Sequence, residues 1–279
     1  MSVRFCPGAL SEINFLRGIL AIAQKEQKNP GVTIRELLES GAHFGHQTRR
    51  WNPKMKRFIY EARNGIYIID LAKTLQQLRH AVEFVRGVVA KRKSILFVGT
   101  KKQAKGVVRE AAEDCGEFYV CERWLGGMLT NLSTIRQSVK TLERIEKRIA
   151  SGGEGFTKKE MSLMGKDRIK LDRNLSGIRS MRKLPGLLVV VDPSKEHIAV
   201  AEAKTLGIPV MALVDTNCDP DPIDFVIACN DDALKSIKIV LSSIKQAIID
   251  KKNDMQVPFA KGDEEEEGTD DMEEEQLDD

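Results

Sequence analysis

Short apolar runs alternate along this chain with stretches of helical periodicity, and this alternation constrains its fold more than any other feature. The runs are rich in β-branched and aliphatic residues and show no polar alternation. They cover residues 94–98, 118–120, 187–191, 210–214 and 225–228. A strand that is apolar on both faces needs helices on both sides, which is typical of parallel sheets. The sequence therefore predicts an α/β fold in three layers, with a doubly wound parallel sheet.

The predicted helices have recognisable starts. Thr33 and Glu36 have the spacing of a capping box, and Asp70 stands as an N-cap before a stripe with helical spacing. Two short apolar runs flank Asn64-Gly65, a dipeptide that favours a tight β-hairpin. Further helices are predicted at 101–115, 196–206 and 232–250.

Residues 132–183 interrupt the alternation with two long helical patterns, which a Ser151-Gly152-Gly153 breaker separates. Thr157 and Glu160 form a second capping box. Spacings of three and four predict an antiparallel helical hairpin with a narrow apolar seam. Residues 136–183 hold fourteen Lys and Arg against six Asp and Glu. This excess suits a polyanion, although a packed helix pair with a solvated charged face fits the same pattern.

The charge of the chain is divided unevenly. Residues 263–279 hold twelve acidic and no basic residues. The residues before them therefore have a net charge of +15, although the whole chain has a net charge of only +3. So basic a body favours a polyanionic partner, with solubility as the alternative. No run is long and apolar enough to predict a membrane span. Five cysteines without a C-x-x-C spacing indicate reduced thiols in a cytoplasmic protein.

These patterns predict four regions. They are an N-terminal extension at 1–31, an α/β body at 32–131 and 184–250, a basic helical hairpin at 132–183, and an acidic disordered tail at 251–279.

The densest candidate site reads HFGHQTRRWNPKMKR, from His43 to Arg57, with five basic residues and no acidic one. Cations neutralise phosphates and aromatic planes stack on bases, so this run indicates RNA contact. A basic loop anchored by one buried Trp is the alternative. The same run spells H-x-x-H, which with Asp192 or Asp215 also suits a metal ion. No further Cys or His pair completes a recognisable set, so we predict no metal site.

Three other segments are candidates for binding. Lys101 and Lys102 follow the strand that ends at Val98, where backbone amides and ammonium groups suit an RNA phosphate; a plain turn is the alternative. Neither a Walker A nor a G-x-G-x-x-G motif is present. Arg123-Trp124 precede two glycines that predict a tight hinge. The acidic turn 215–222 is interpreted as a rigid connector because of its prolines.

Six segments carry a resemblance to a known family. They are LLESGAHFGHQTRRWNPKMK, NGIYIIDL, ILFVGTKKQA, ERWLGGMLTN, LPGLLVVVDPSKEHIAVAEAKTLGIPV and ALVDTNCDPDPIDFVIACNDDA. In this order they resemble the bacterial small ribosomal subunit protein two family over about residues 32 to 250. The resemblance implies a flavodoxin-like domain with an inserted coiled-coil hairpin. It also implies assembly on small-subunit ribosomal RNA in the cytoplasm, contact with other small-subunit proteins, and docking of the multi-OB-fold ribosomal protein one.

The sequence thus predicts a structural ribosomal protein, not an enzyme, with no catalytic residue, no cofactor, no membrane and no small-molecule substrate. The alternative is an α/β enzyme that binds a nucleotide or sugar phosphate near Gly99, Asp192 and Asp215. The residues predicted to bind RNA are His43, His46, Arg49, Arg50, Trp51, Lys54, Lys56, Arg57, Lys101, Lys102, Arg123 and Trp124.

Overall fold

The computed structural model describes residues 31–152 and 156–256. Its centre is a parallel sheet of five strands in the order β5-β4-β6-β7-β8. The strands are β4 (Ile95–Val98), β5 (Phe118–Val120), β6 (Leu187–Val191), β7 (Val210–Val214) and β8 (Phe225–Ala228). The order of strands reverses between β4 and β6, as in doubly wound folds. The predicted fold class is confirmed.

Helices cover both faces of this sheet. They are α1 (Ile34–Glu39), α2 (Leu71–Ala90), α3 (Ala104–Cys115), α4 (Leu132–Ala150), α5 (Lys158–Leu175), α6 (His197–Thr205) and α7 (Leu234–Gln256). Successive strand residues point to opposite faces. Phe97 accordingly packs in one core with α1, α2, α3 and α7, while Leu96 packs in the other with α6 and the base of the α4–α5 pair. Both residues are fully buried.

A second, antiparallel sheet has the order β1-β3-β2. Its strands are β1 (Phe44–Gln47), β2 (Ile59–Arg63) and β3 (Ile66–Ile69). Asn64 and Gly65 join β2 to β3 with φ values of 48° and 76°, the positive pair that a tight hairpin turn requires. The predicted hairpin is confirmed. Strand β1 was not predicted, because the whole run 43–57 was interpreted as a binding segment.

The two capping boxes and the Asp70 N-cap form as predicted. Helices α4 and α5 pack together as the predicted hairpin. Leu142 on α4 is fully buried, yet it belongs to neither core of the sheet. The Arg179 guanidinium reinforces the base through ion pairs with Glu146 (2.5 Å) and Asp172 (3.0 Å).

Some helix bounds differ from the prediction. Helix α3 begins at Ala104, because residues 101–103 form a turn, and α7 runs on to Gln256. In the part of the chain described here, no helix has the length and hydropathy to cross a membrane. The predicted extension lies outside the described residues except for Gly31, and the predicted acidic tail lies outside them from residue 257 onward.

Candidate nucleic-acid interface

The basic run folds into two short 3-10 helices, Thr48–Arg50 and Pro53–Phe58. The Asn52 side chain accepts a hydrogen bond from the Lys54 amide (3.0 Å) and so caps the second one. Between β1 and β2 this basic segment, defined as residues 48–58, exposes all five of its cations. They are Arg49, Arg50, Lys54, Lys56 and Arg57.

Apolar side chains hold the basic segment against the body. Met55 is fully buried. Trp51 is half-buried, with its ring 4.9 Å from that of Tyr67. The Arg57 guanidinium lies 4.7 Å from the centre of the Phe58 ring. Trp51 therefore helps to hold the basic segment against the body although its ring is only half-buried, and its predicted contact with RNA stays a prediction.

The acidic turn after β7 anchors the segment by hydrogen bonds. The Asn52 amide donates to the Thr216 carbonyl (2.8 Å), and the His46 amide donates to Thr216 Oγ1 (2.8 Å). Gly45 passes so close that a Cβ there would lie 2.6 Å from Thr216 Cγ2. The predicted connector thus also docks β1 and the segment that follows it.

Lys54 differs from its neighbours. Its ammonium pairs with Asp219 (2.8 Å) and Asp221 (2.5 Å), and these hydrogen bonds raise the pKa of Lys54. The structure therefore gives the predicted RNA ligand Lys54 a second role, as a link to the acidic turn.

The carboxyl ends of parallel strands meet at one edge of a sheet, and here they gather acidic side chains. Asp192 follows β6, Asp215 follows β7, and Asp231 lies three residues beyond β8. All three are buried. His46 reaches this edge from β1, with Nδ1 2.9 Å from Asp215 Oδ2. That hydrogen bond raises the pKa of His46, against the opposing effect of burial.

Lys101 also points into the acidic edge. Its Nζ lies 2.7 Å from Asp231 Oδ1 and 2.6 Å from Asp232 Oδ1. Burial alone would lower the pKa of Lys101, but these contacts raise it. Burial, with the charges of Asp215 and Asp192, raises the pKa of Asp231 to about 7. Carboxylates surround this ammonium group, so the geometry argues against its predicted contact with a phosphate.

The turn after β4 does not present its first amide to a ligand. The Thr100 amide donates to Glu196 Oε1 (3.0 Å), and its hydroxyl donates to the same oxygen (2.5 Å). A carboxylate therefore takes the place that a phosphate would need. Lys102, by contrast, is exposed.

Trp124 is only 7% exposed, and its indole Nε1 donates to Glu202 Oε1 (3.0 Å). The same carboxylate accepts hydrogen bonds from the amides of Gly127 (2.8 Å), Leu129 (3.0 Å) and Thr130 (3.1 Å). Burial alone would raise the pKa of Glu202, but these donors lower it. Trp124 is a structural residue in this conformation, because its ring does not reach the surface, whereas Arg123 is exposed.

The two histidines of the H-x-x-H run do not converge. The His43 ring lies tilted against that of Phe44 with ring centres 4.0 Å apart, and burial lowers the pKa of His43. Only His46 reaches the acidic edge.

The hairpin carries a second group of exposed cations. Arg173 is paired with Glu122 (2.7 Å) and Arg179 with Glu146, so both are neutralised internally. The exposed cations of α4 and α5 that lack an ion pair within the described ranges are Arg136, Lys140, Arg144, Lys147, Arg148, Lys158, Lys159, Lys166, Arg168 and Lys170.

Reasoning from sequence missed several residues of these sites. Glu202 lies in a helical pattern, and nothing in the sequence indicated its role, since its partners are backbone amides more than seventy residues away. Asp231 and Asp232 had a usable signal, because they follow a buried strand at the edge that also holds Asp192 and Asp215.

Comparisons with known proteins agree with one another. A sequence model of the family described as ribosomal protein S2 matches residues 37–251. The small ribosomal subunit protein uS2 of Protochlamydia amoebophila is 73% identical over 256 residues, which cover 92% of this chain and 93% of that protein. The uS2 protein of Chlamydia pneumoniae is 63% identical, with 82% of each chain covered. That of Chlamydia trachomatis serovar D is 63% identical, with 79% of this chain and 78% of the relative covered.

Proposed function

The chain belongs to the ribosomal protein S2 family of the small ribosomal subunit, and we propose that it binds small-subunit ribosomal RNA there through two basic surfaces. One is the basic segment, and the other comprises the outer faces of the α4–α5 hairpin. The family consists of structural ribosomal proteins rather than enzymes, so the alternative of a phosphate-binding enzyme is dropped.

The observation that carries the proposal is that four cations in the basic segment are exposed and unpaired. Arg49, Arg50, Lys56 and Arg57 are exposed, and within the described ranges none has an ion-pair partner, whereas neighbouring Lys54 has two. An unpaired cation binds a phosphate without first giving up a carboxylate, and each such contact releases condensed counterions. These four side chains should therefore contribute the most binding free energy when they contact phosphates of an RNA backbone.

The segment is also held in place before RNA arrives. Met55, Trp51 and the hydrogen bonds to Thr216 fix its backbone, so little order has to be imposed on binding. Fixed cations suit recognition of RNA by shape and phosphate position.

The hairpin adds a longer basic surface. Its apolar seam is narrow, and its cations lie on the sides turned away from that seam. Helix α5 begins with Lys158 and Lys159, and α4 ends near Lys147 and Arg148, so both helices bring positive charge to the free end of the hairpin. We propose that this end reaches RNA elements other than those at the basic segment.

Co-sedimentation with small subunits tests the proposal. Full-length chain in which Arg49, Arg50, Lys56 and Arg57 are all Ala is compared with wild type for incorporation into subunits assembled without the native protein. Incorporation should fall by tenfold or more, which corresponds to about 1.4 kcal/mol. The matched control removes four exposed cations elsewhere, namely Arg86, Lys91, Lys93 and Arg109, and should incorporate normally. Equal incorporation of both variants would count against the basic segment as an RNA surface.

We further propose that the assembled chain supports docking of the multi-OB-fold ribosomal protein one, which the family resemblance implies. Subunits that lack the chain should fail to retain protein one, and adding the purified chain should restore retention. Retention that is the same with and without the chain would remove this part of the proposal.

A further inference from the structure

An open groove of about 790 Å³ runs between α2 and α7. Its floor is apolar and continues the core beneath it, with two buried and two half-buried side chains. They are Leu75, Leu78, Val82 and Ile239. Beyond Ile239, helix α7 turns only small or polar side chains toward the groove, so its backbone can be approached closely.

The groove has the length of a short helix. On α2 it reaches from Leu75 to Arg86, and on α7 from Ile239 to Asp250. Each span advances eleven residues along a helix, which corresponds to about 16 Å or three turns. A groove with an apolar floor and this length fits the apolar face of an amphipathic helix.

The chain itself enters the described structure at this groove. Gly31 and Val32 are the first residues described, and both line it. Val32 also packs against the core that forms its floor. The thirty residues that precede Gly31 are therefore tethered at the groove. A tether of this kind makes binding intramolecular and raises the effective concentration of the segment.

Residues 11–28 of that tethered part read SEINFLRGILAIAQKEQK. Ser11 stands where an N-cap is needed, and Glu12 adds negative charge to the first turn. Asn29-Pro30-Gly31 then provides a stop signal. The sequence therefore predicts a helix that ends just before the groove.

The apolar residues of this predicted helix share one side. With about 100° between successive residues, every large apolar side chain from residue 13 to residue 22 falls on one half of the helix. These side chains are Ile13, Phe15, Leu16, Ile19, Leu20 and Ile22, and the opposite half has Asn14, Arg17, Gly18 and Ala21. The apolar face is about 14 Å long, close to the length of the groove.

We propose that residues 11–28 form an amphipathic helix that docks its apolar face into the groove between α2 and α7 of the same chain. Each of the two apolar surfaces covers the other, which removes both from water. The tether at Gly31 favours this occupant over a second copy of the chain. The proposal is independent of RNA binding, since it uses none of the cations assigned to RNA.

A charge placed in the groove tests the docking. Ser243 lines the groove from α7 and is half-buried, so Ser243→Glu puts a carboxylate against the apolar face of the segment. Hydrogen exchange of the purified full-length chain should show amides 13–22 protected at least tenfold over a free peptide of residues 11–28. In Ser243→Glu this protection should fall by tenfold or more. Asn253→Glu makes the same change of charge at an exposed position of α7 outside the groove and should leave protection unchanged.

Substitutions in the segment itself give a second test that leaves the described body untouched. Leu16→Glu combined with Leu20→Glu places two charges on the apolar half and should abolish the protection. Asn14→Glu combined with Ala21→Glu places the same two charges on the polar half and should preserve it. Protection of β6 in the central sheet should persist in all these variants, which separates undocking from global unfolding.

Photo-crosslinking shows where the segment lies. Benzoylphenylalanine in place of Glu83, on the exposed rim of the groove, should crosslink to residues 11–28. The same substitution at the exposed Glu143 on α4 should give no such product. Mixing isotopically heavy and light chains distinguishes crosslinks within one chain from those between two chains, and only the former are expected.

Four outcomes would overturn the proposal. They are amides 13–22 that exchange in the wild type as in the free peptide; protection that survives both Ser243→Glu and the Leu16→Glu, Leu20→Glu pair; crosslinks from position 83 only between heavy and light chains, as for a second copy; and protection that appears only when anionic phospholipid vesicles are added, as for a helix that lies on a membrane.

Discussion

Glu202 shows how one side chain fixes the start of the hairpin. It is buried, and its carboxylate accepts from the Trp124 indole and from three backbone amides of the hinge before α4. Hydrogen bonds to a charged acceptor are each worth about 1.5 to 3 kcal/mol. This carboxylate therefore sets where the hairpin leaves the body.

Glu202→Gln should lower the free energy of unfolding by on the order of 2 to 3 kcal/mol at pH 7, because the amide cannot serve all these donors as well as a carboxylate does. Denaturant unfolding of wild type and variant measures the difference. The exposed Glu110→Gln on α3 is the control and should change stability by less than about 0.5 kcal/mol.

The effect should depend on pH with a definite sign. The pKa of Glu202 is lower in the folded chain than its ordinary value. Its contribution is therefore fully present above the unfolded pKa and is lost as the pH falls through the folded one. The gap between wild type and Glu202→Gln should close below about pH 4. A gap that widens on acidification would contradict the proposed role of the charge.

Gly45 tests the docking of β1. A Cβ at this position would lie 2.6 Å from Thr216 Cγ2 and 3.0 Å from the Tyr67 carbonyl oxygen. Gly45→Ala should cost about 1 to 3 kcal/mol and speed hydrogen exchange in β1 and the basic segment. Gly106→Ala is the matched control, since nothing lies within 4 Å of its added methyl, and it should be neutral or slightly stabilising. Unchanged exchange in Gly45→Ala would show that the segment is not held through this contact.

At the residue scale, local chemistry was predictable and long-range chemistry was not. The capping boxes and the Asn64-Gly65 turn depend on neighbours in sequence, and they form as predicted. The partners of Trp124 and Lys101 come from elements far away in the chain, so their burial among carboxylates was not visible.

At the scale of elements, the buried strands gave the strongest signal. A run such as Val210–Val214 is apolar at every position, and its predicted bounds agree with the observed ones. Strand β1 reads FGHQ, with one large apolar residue, and it is ordered by pairing with β3. A strand that depends on its partner rather than on its own pattern is difficult to predict.

The hairpin should unfold apart from the body, because Leu142 on α4 is fully buried yet belongs to neither core of the sheet. Leu142→Ala removes a fully buried side chain and should speed hydrogen exchange in both helices by tenfold or more, while protection of the central sheet persists. Leu163→Ala on α5, where the side chain is 52% exposed, is the control and should change little. Equal loss of protection in β6 and β7 would mean that hairpin and body unfold as one unit.

At the scale of the whole molecule, acidic and basic side chains gather on different surfaces. The carboxyl edge of the sheet is acidic, and the basic side chains that reach it, Lys101 and His46, are paired with its carboxylates. The basic segment and the hairpin keep theirs exposed. Overall composition predicted a polyanionic partner, but only the structure distinguishes the cations that are already paired from those that remain available for the proposed contact with RNA.

The salt dependence of binding to small-subunit ribosomal RNA tests the central claim most directly. The logarithm of the binding constant should fall linearly with the logarithm of the salt concentration, steeply for wild type. With Arg49, Arg50, Lys56 and Arg57 changed to Ala, the slope should become shallower by roughly three units, because each phosphate contact contributes about 0.7 to 0.9. Lys54→Ala alone should leave it nearly unchanged, since that ammonium is paired internally. Parallel lines for the wild type and the fourfold variant would contradict the account.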